Sequence, residues 1–202
     1  MRIDKAVVSG VFSLDGQDFD VDNNVWLVGN DDEVLVIDAP HDAAPIVEAI
    51  GGRKVVAIVL THGHNDHLTA APALREATGA PIWFNSQDRM LWDMTHPDTA
   101  PDRELAAGTR FTVAGAGLVA LHTPGHSPGS TCLHSPDLAT VFTGDTLFCG
   151  GPGATGRSFS DHPTILNSIR GQLFSLHGDT VVRTGHGDDT TIAAELRNVP
   201  AQ

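Results

Sequence analysis

Six apolar residues in succession, Val55 to Leu60, run directly into Thr61-His62-Gly63-His64-Asn65-Asp66-His67. An apolar run of that length reads as a strand buried on both faces, which requires packed layers on either side of it. Three imidazoles and a carboxylate then stand where the strand leaves the core. A layered core and a polar cluster at one strand end are therefore the two demands on the rest of the chain.

The flanking segments supply the layers. Val25 to Val28 and Val34 to Ile37, separated by Gly29-Asn30-Asp31-Asp32, are expected to form a hairpin. Ala43 to Ile50 reads as a short helix stopped by Gly51-Gly52. A second helix is expected from Asp66 to Thr78, with Leu68, Ala71, Leu74 and Ala77 along one side. Further strands are expected at Ile82 to Phe84, Gly117 to His122, Ser130 to Leu133, Thr140 to Thr143 and Val181-Val182. Pro163 opens a helix reaching about Leu176, and Thr190 to Leu196 reads as a terminal helix. Asn23 and Asn24 read as turn residues, and Thr95 to Gly108, rich in Pro, Asp and Ala, as a mobile surface loop. The pattern is that of a mixed α/β or α+β layered fold, expected as one domain over residues 1–202.

Charge narrows the partners. Twelve Lys and Arg against 25 Asp and Glu give a formal net charge of −13, which repels a phosphate backbone or an anionic membrane. Neither nucleic acid nor membrane is expected as a partner. No eighteen apolar residues run together, the N-terminal apolar run ends without a small-residue cleavage site, and Cys132 and Cys149 form no CxxC pair. A reducing cytoplasm is the expected compartment. A chain of this length buries roughly 70% of its unfolded surface, so it needs no metal merely to hold a core. Eleven histidines in 202 residues call for a functional explanation.

In extended backbone, residues two apart share a face, so His62, His64 and Asp66 can point together, and Gly63 lets the backbone bend between them. At the start of a helix the direction changes, and His67 points elsewhere. Two neighbouring sets of ligands result. Imidazole and carboxylate suit zinc, iron or manganese. The same ligand types recur beside glycine at later strand ends: His126 in Thr123-Pro124-Gly125-His126-Ser127-Pro128-Gly129, Asp145 in Gly144-Asp145, and His186 in Gly185-His186-Gly187. Together they outnumber the ligands of a closed structural zinc site.

The order HxHxDH, TPGHSPG, GD and GHG, preceded by Asp38 after the strand Val34 to Ile37, resembles the metallo-β-lactamase superfamily over about residues 25 to 190. The resemblance implies an α+β fold, a four-layer αβ/βα sandwich of two mixed sheets with helices on the outer faces. It implies one metal at His62, His64 and His126, a second at Asp66, His67 and His186, and Asp145 as the bridge. Two divalent ions follow, zinc first, with iron or manganese as alternatives. Asp38 would orient a ligand histidine through its free ring N–H. Thr143 to Phe148, Gly156-Arg157 and Gly185-His186-Gly187 are most similar to small single-domain glyoxalase II-like hydroxyacyl-thiol hydrolases. The chain has no tyrosine, an aromatic type that those enzymes bring to glutathione, so the carrier thiol stays open between glutathione and another such as mycothiol.

The expected reaction is hydrolysis of an anionic small-molecule thioester by a water that metal binding acidifies from pKa 15.7 to about 7. Asp66 would aim that water as the catalytic residue, and Arg157 would receive a substrate carboxylate. A thiolate, with a conjugate-acid pKa of about 8.5, leaves without the placed general acid that an amide nitrogen needs. The alternatives are a mononuclear-iron persulfide dioxygenase, another ester or lactone hydrolase, a nuclease of the same superfamily, and a non-catalytic metal-bound domain. Nothing in the sequence fixes an oligomeric state.

Overall fold

The chain opens with a long hairpin. In the computed structural model, which describes residues 1–200, β1 (Arg2–Leu14) and β2 (Gln17–Gly29) pair antiparallel along their full length. The turn is Asp15-Gly16, with φ of 54° and 72°, the left-handed pair that a tight two-residue hairpin loop demands. Asn23 and Asn24 are therefore strand residues, not turn residues, and both are buried. The turn signal was Asp15-Gly16, eight residues earlier than Asn23.

From β2 the chain turns at Asn30, whose side chain accepts the N–H groups of Asp32 and Glu33 at 2.9 Å, into β3 (Glu33–Ile37). Helix α1 (Ala43–Ile50), capped by Asp42 and ended by Gly51 in left-handed conformation, crosses over to β4 (Lys54–Val59). After α2 (Asn65–Leu68) and α3 (Ala71–Thr78) come β5 (Ile82–Phe84), α4 (Arg89–Thr95) and β6 (Arg103–Glu104). The first sheet has the order β1-β2-β3-β4-β5-β6, antiparallel at the hairpins and parallel from β3 onward.

The second sheet is built from β7 (Arg110–Val113), β8 (Ala116–His122), β9 (Thr131–Ser135), β10 (Thr140–Gly144), β13 (Val181–Thr184) and β14 (Thr190–Thr191), in the order β14-β13-β10-β9-β8-β7. Between β10 and β13 lie a small ribbon, β11 (Leu147–Phe148) with β12 (Gly151–Pro152), and α5 (His162–Ser168); α6 (Ile192–Glu195) closes the described chain.

Alternation along the strands creates three apolar layers. Trp26, Leu35, Ile37 and Val59 meet Phe111, Leu133 and Phe142 between the sheets. Their strand neighbours Leu27, Val34, Val36 and Ile58 face outward onto Ile46, Leu68 and Leu74 of the helices. Val141 and Val182 face the other way, onto Ile165, Ile169, Leu173 and Ile192. This is the αβ/βα sandwich, two mixed sheets in the middle and helices outside. Each fully buried large apolar side chain contributes about 1.5–3 kcal/mol, so the layers hold the frame on which the loops are carried.

Three segments differ from the sequence expectation. The helix expected from Asp66 to Thr78 is broken at Thr69-Ala70. The His67 carbonyl accepts from Ala39 N–H at 2.9 Å, and Ala70 N–H turns to the Ala39 carbonyl, while Pro72 has no N–H to continue the ladder. The helix opened by Pro163 passes at Ile169 into one π turn, Ile169–Leu173, closed by Phe174 N–H on the Ile169 carbonyl. The stretch from Thr95 to Gly108 contains β6 and the fully buried Leu105, so much of it is built into the sheet.

Strands β3, β4, β8, β10 and β13 all end at the same edge, because β3 and β4 are parallel, β10 and β13 are parallel, and β8 lies two antiparallel steps from β10. The residues that follow them are Asp38, His62, the His126 loop, Asp145 and His186.

Candidate metal centre

The residues at that edge converge. His62 Nε2 lies 3.1 Å from His64 Nδ1, and His64 Nδ1 lies 3.0 Å from His126 Nε2. Beside this triad, His67 Nε2 is 3.2 Å from His186 Nε2, and Asp66 Oδ2 is 3.5 and 3.3 Å from the same two atoms. Asp145 stands between the groups. Its Oδ1 is 3.3 Å from His67 Nε2, and its Oδ2 is 3.6 Å from His126 Nε2 and 3.4 Å from His186 Nε2.

The far ring nitrogens explain the convergence. His67 Nδ1–H donates to Asp38 Oδ2 at 2.8 Å, His126 Nδ1–H to the Ala154 carbonyl at 2.8 Å, and His186 Nδ1–H to the Asp22 carbonyl at 2.8 Å. Thr61 Oγ1 donates to Asp38 Oδ2 at 2.9 Å and can then only accept from His62 Nδ1–H, 3.1 Å away. One buried carboxylate, Asp38, thereby sets the orientation of a histidine in each triad. With the rear nitrogens of His62, His67, His126 and His186 committed, their front nitrogens turn bare lone pairs toward one another.

Such an arrangement is repulsive unless positive charge sits among the lone pairs. Burial works against a charged His186, but Asp145 and Asp66 outweigh it and raise this histidine to about 10; His67 is raised well above its ordinary value by the same carboxylates together with Asp38. Burial pushes His64 down to about 3, with His126 adding to the effect, and holds His62 well below its usual range. Asp66 falls to about 2 because the His67 charge and the bonds from His186 and Asn23 overcome the upward pull of burial. Metal ions fit the same donors. The spacings of 3.0–3.6 Å match the edges of a polyhedron with bonds of about 2.0–2.2 Å to nitrogen and oxygen. Buried Asp66 Oδ1 and Asp145 Oδ1 also have no hydrogen-bond partner, in keeping with a centre built to hold ions.

Above the centre opens a cavity of about 560 Å³, walled by Phe12, Phe19, Phe148 and Arg157. Phe12 and Phe19 are a cross-strand pair of the β1–β2 hairpin, whose tip Asp15 accepts Ser158 N–H at 3.0 Å. The Arg157 guanidinium lies 4.4 Å from the Phe19 ring centroid and donates to Gln17 at 3.0 Å. Asp38, His62, His64, Asp66, His67, His126, Asp145 and His186 are thus brought together, and Arg157 stands at the wall of the cavity over them.

Several residues of the site carried no readable motif. Asn24 Nδ2 donates to the carbonyls of Thr184 and Gly187 at 3.0 Å, and Trp26 Nε1–H to Thr184 at 2.9 Å, which fastens the His186 loop to β2. Asn23 reaches the second triad itself. Asp88 joins the loops of His62–His64 and His126 from beneath. Phe12 and Phe19 flank the Asp15-Gly16 hairpin signal, which would have revealed them as a cross-strand pair. Of the other histidines, His96 and His122 bond the backbone carbonyls of Leu68 and Pro128.

A two-sheet αβ/βα sandwich with histidine and aspartate donors gathered at one sheet edge defines the class of metal-dependent hydrolases built on this frame. The family model for the metallo-beta-lactamase superfamily matches residues 19–186, and the chain belongs to that superfamily. It is 33% identical over 194 residues to the hydroxyacylglutathione hydrolase GloC of Haemophilus influenzae, covering 88% of this chain and 91% of that one. The structure of TTHA1623 in a di-iron-bound form matches with a TM-score of 0.79 at 32% identity, over 89% of this chain and 95% of that chain. The BLEG-1 B3 metallo-beta-lactamase matches with a TM-score of 0.81 at 27% identity, over 96% and 98% of the two chains.

Proposed function

We propose that the protein hydrolyses thioesters of a low-molecular-weight thiol, with one divalent ion at His62, His64 and His126, a second at Asp66, His67 and His186, and Asp145 shared between them. Zinc is the first choice of ion, and iron or manganese suits the same donors. When bound, the two ions supply a water acidified to about pKa 7 and a Lewis acid for the carbonyl oxygen. Asp66 keeps Oδ1 without a hydrogen-bond partner, and that oxygen is left to accept from the nucleophilic water and aim it. Asp38 holds His67 and, through Thr61, His62.

The observation that carries the reading is the makeup of the cavity. Apart from the residues assigned to the metals, its titratable lining among the described residues is Asp20, Asp22 and Arg157. Both aspartates are exposed, and Asp22 accepts from Ser9 at 2.6 Å. No acid is set above the centre to protonate a nitrogen leaving group, which favours a thiolate that leaves unaided. Arg157 bonds Gln17 through one of its five N–H groups, so others remain to take an anionic group of the substrate. The hydroxyacylglutathione hydrolase similarity agrees with this chemistry. Both cysteines are free thiols, which fits a reducing compartment, and the reading is of a cytoplasmic enzyme.

The test is a panel of hydroxyacyl thioesters on glutathione, mycothiol and coenzyme A, run beside an oxygen-uptake assay with a persulfide. Hydrolysis without oxygen consumption is expected. Oxygen consumption on the persulfide with no thioester cleaved would establish the dioxygenase instead.

A further inference from the structure

One side chain of Thr61 to His67 takes no part in the metal centre. Asn65 stands between His64 of the first triad and Asp66 of the second, yet it reaches the free edge of the first sheet. Its Nδ2 donates to the Val11 carbonyl at 2.9 Å, and its Oδ1 accepts Ser13 N–H at 2.9 Å. β1 is the outermost strand of that sheet, so these two backbone groups have no further strand to bond. A carboxamide presents a donor and an acceptor side by side, as a strand edge does, and Asn65 stands in for one.

The residue between the two gripped positions is Phe12, which pairs with Phe19 across the hairpin. The Phe12 ring lies 5.1 Å from the His64 ring and lines the cavity above the centre. Beside the second triad, Phe148 lies 6.1 Å from the His186 ring and lines the same cavity. A phenylalanine therefore flanks a histidine of each triad, and neither ring carries a hydroxyl to meet a polar group. A thioester with its carbonyl over the centre has two substituents, acyl and thiol, one for each flank.

We propose, on the thioester reading above, that Phe12 is a specificity-determining residue that takes an apolar substituent of the substrate, and that Asn65 is the positioning residue that holds its ring at the metal centre. Bonds to the backbone on both sides of Phe12 fix where its Cα stands relative to His64, the residue before Asn65. The hairpin is tied at other places as well. The His41 ring fills the space that a Cβ on Gly10 would need, and the tip Asp15 accepts Ser158 N–H at 3.0 Å. Val11 and Ser13 are exposed, so without the Asn65 side chain their backbone groups turn to water. What is lost is then the place of Phe12 and not the fold.

The test compares three thioesters on the zinc-loaded, full-length protein. Lactoyl mercaptoethanol is the small reference, mandeloyl mercaptoethanol adds a phenyl group to the acyl half, and the lactoyl thioester of benzyl mercaptan adds one to the thiol half. Wild type should favour at least one phenyl-bearing thioester in kcat/KM, and Phe12→Ala should lower that preference about tenfold, through KM. The arm that responds names the half of the substrate that lies on Phe12. Asn65→Ala should lower the same preference about fivefold, keep both zinc equivalents and exchange the Ser13 amide hydrogen faster. In the Phe12→Ala background, removing Asn65 should change the preference no further, because it acts through that ring. Asn65→Asp keeps an acceptor for Ser13 but offers Val11 no donor; it should fall on the same side and decides alone if the alanine variant does not fold. Wild type that cleaves none of the three would overturn the thioester reading and this assignment with it. Cleavage without a preference, a preference that survives in Phe12→Ala or in the Asn65 variants, or Asn65 effects that add fully to those of Phe12→Ala would overturn the assignment alone.

Discussion

Asp88 stands directly behind Gly63, accepting its backbone N–H at 2.8 Å between His62 and His64. The same carboxylate accepts Gly129 N–H at 2.6 Å and the Ser127 hydroxyl at 2.5 Å, next to His126. One buried side chain, at the end of the short turn Ser86–Asp88, therefore joins the two loops that carry the first triad. Burial pushes its pKa up, while the bonds from Ser127, Gly129 and Gly63 pull it back.

Replacing Asp88 by Asn puts an N–H₂ where three donors converge and leaves at least one without an acceptor. The expected cost is about 1–3 kcal/mol of stability. The first metal equivalent should also bind more weakly, since His64 and His126 lose their common support. Thermal unfolding and chelator competition measure the two effects. Unchanged values in both would show that Asp88 does not join the loops energetically.

Gly63 and Gly129 leave no room for a side chain against Asp88. A Cβ on Gly63 would lie 2.7 Å from Leu91 Cβ and 2.9 Å from Asp88 Cβ, and one on Gly129 would lie 2.7 Å from Asp88 Cγ. None of these is the free end of a flexible chain. Alanine at either position should cost about 1–3 kcal/mol, as overpacking does. Gly171, with nothing within 4 Å of its added Cβ, is the control, and its alanine variant should unfold at or slightly above the wild-type temperature.

Arg157 lies against Phe19 and bonds Gln17, both on the hairpin. If it receives an anionic group of the substrate, Arg157→Ala should raise KM for an anionic thioester about tenfold and leave kcat nearly unchanged, the pattern of lost ground-state and transition-state binding alike. A neutral thioester should show little change. Lysine should restore only part of the loss, because it has neither the planar fork nor the same stacking. Equal effects on both substrates would remove Arg157 from substrate recognition.

The two thiols should behave oppositely. Cys149 is exposed, whereas Cys132 is fully buried against Thr123 and its thiol is pushed up to about 11 by burial. Native protein should react with one equivalent of a thiol reagent at pH 8 and unfolded protein with two. Below 9 both states hold the Cys132 proton; between 9 and about 11 only the unfolded state releases it. This group alone then lowers stability by about 1.4 kcal/mol per pH unit across that window, and Cys132→Ser should flatten the decline.

Unbroken apolar runs carried the layers, because Val55 to Leu60 and Val25 to Val28 must be buried whatever else the chain does. Gly51 and Gly79 ended helices as their left-handed conformations require. Partners distant in sequence were not legible. The break after Leu68 depends on hydrogen bonds to Ala39, and the buried place of Asn23 depends on its pairing with Val8 across the hairpin. The candidate metal-ligand types could be read because His62, His64, His126, Asp145 and His186 each stand beside glycine after a strand, with Asp66 and His67 in the same cluster. Asp88 stands in Asn85-Ser86-Gln87-Asp88, which looks like any polar turn, and only the tertiary approach of Gly63 and Gly129 gives it a role.

Hydrolysis by the proposed route needs two ions, held by seven donors, at once. The most direct test is to titrate metal-free protein with zinc while following cleavage of a hydroxyacyl thioester. Turnover should stay low through the first equivalent, rise with the second and level off at two, and Asp66→Ala should abolish it in a protein that still folds. Full turnover at one equivalent, or turnover that survives the loss of Asp66, would show that two-ion hydrolysis aimed by Asp66 is not how this protein works.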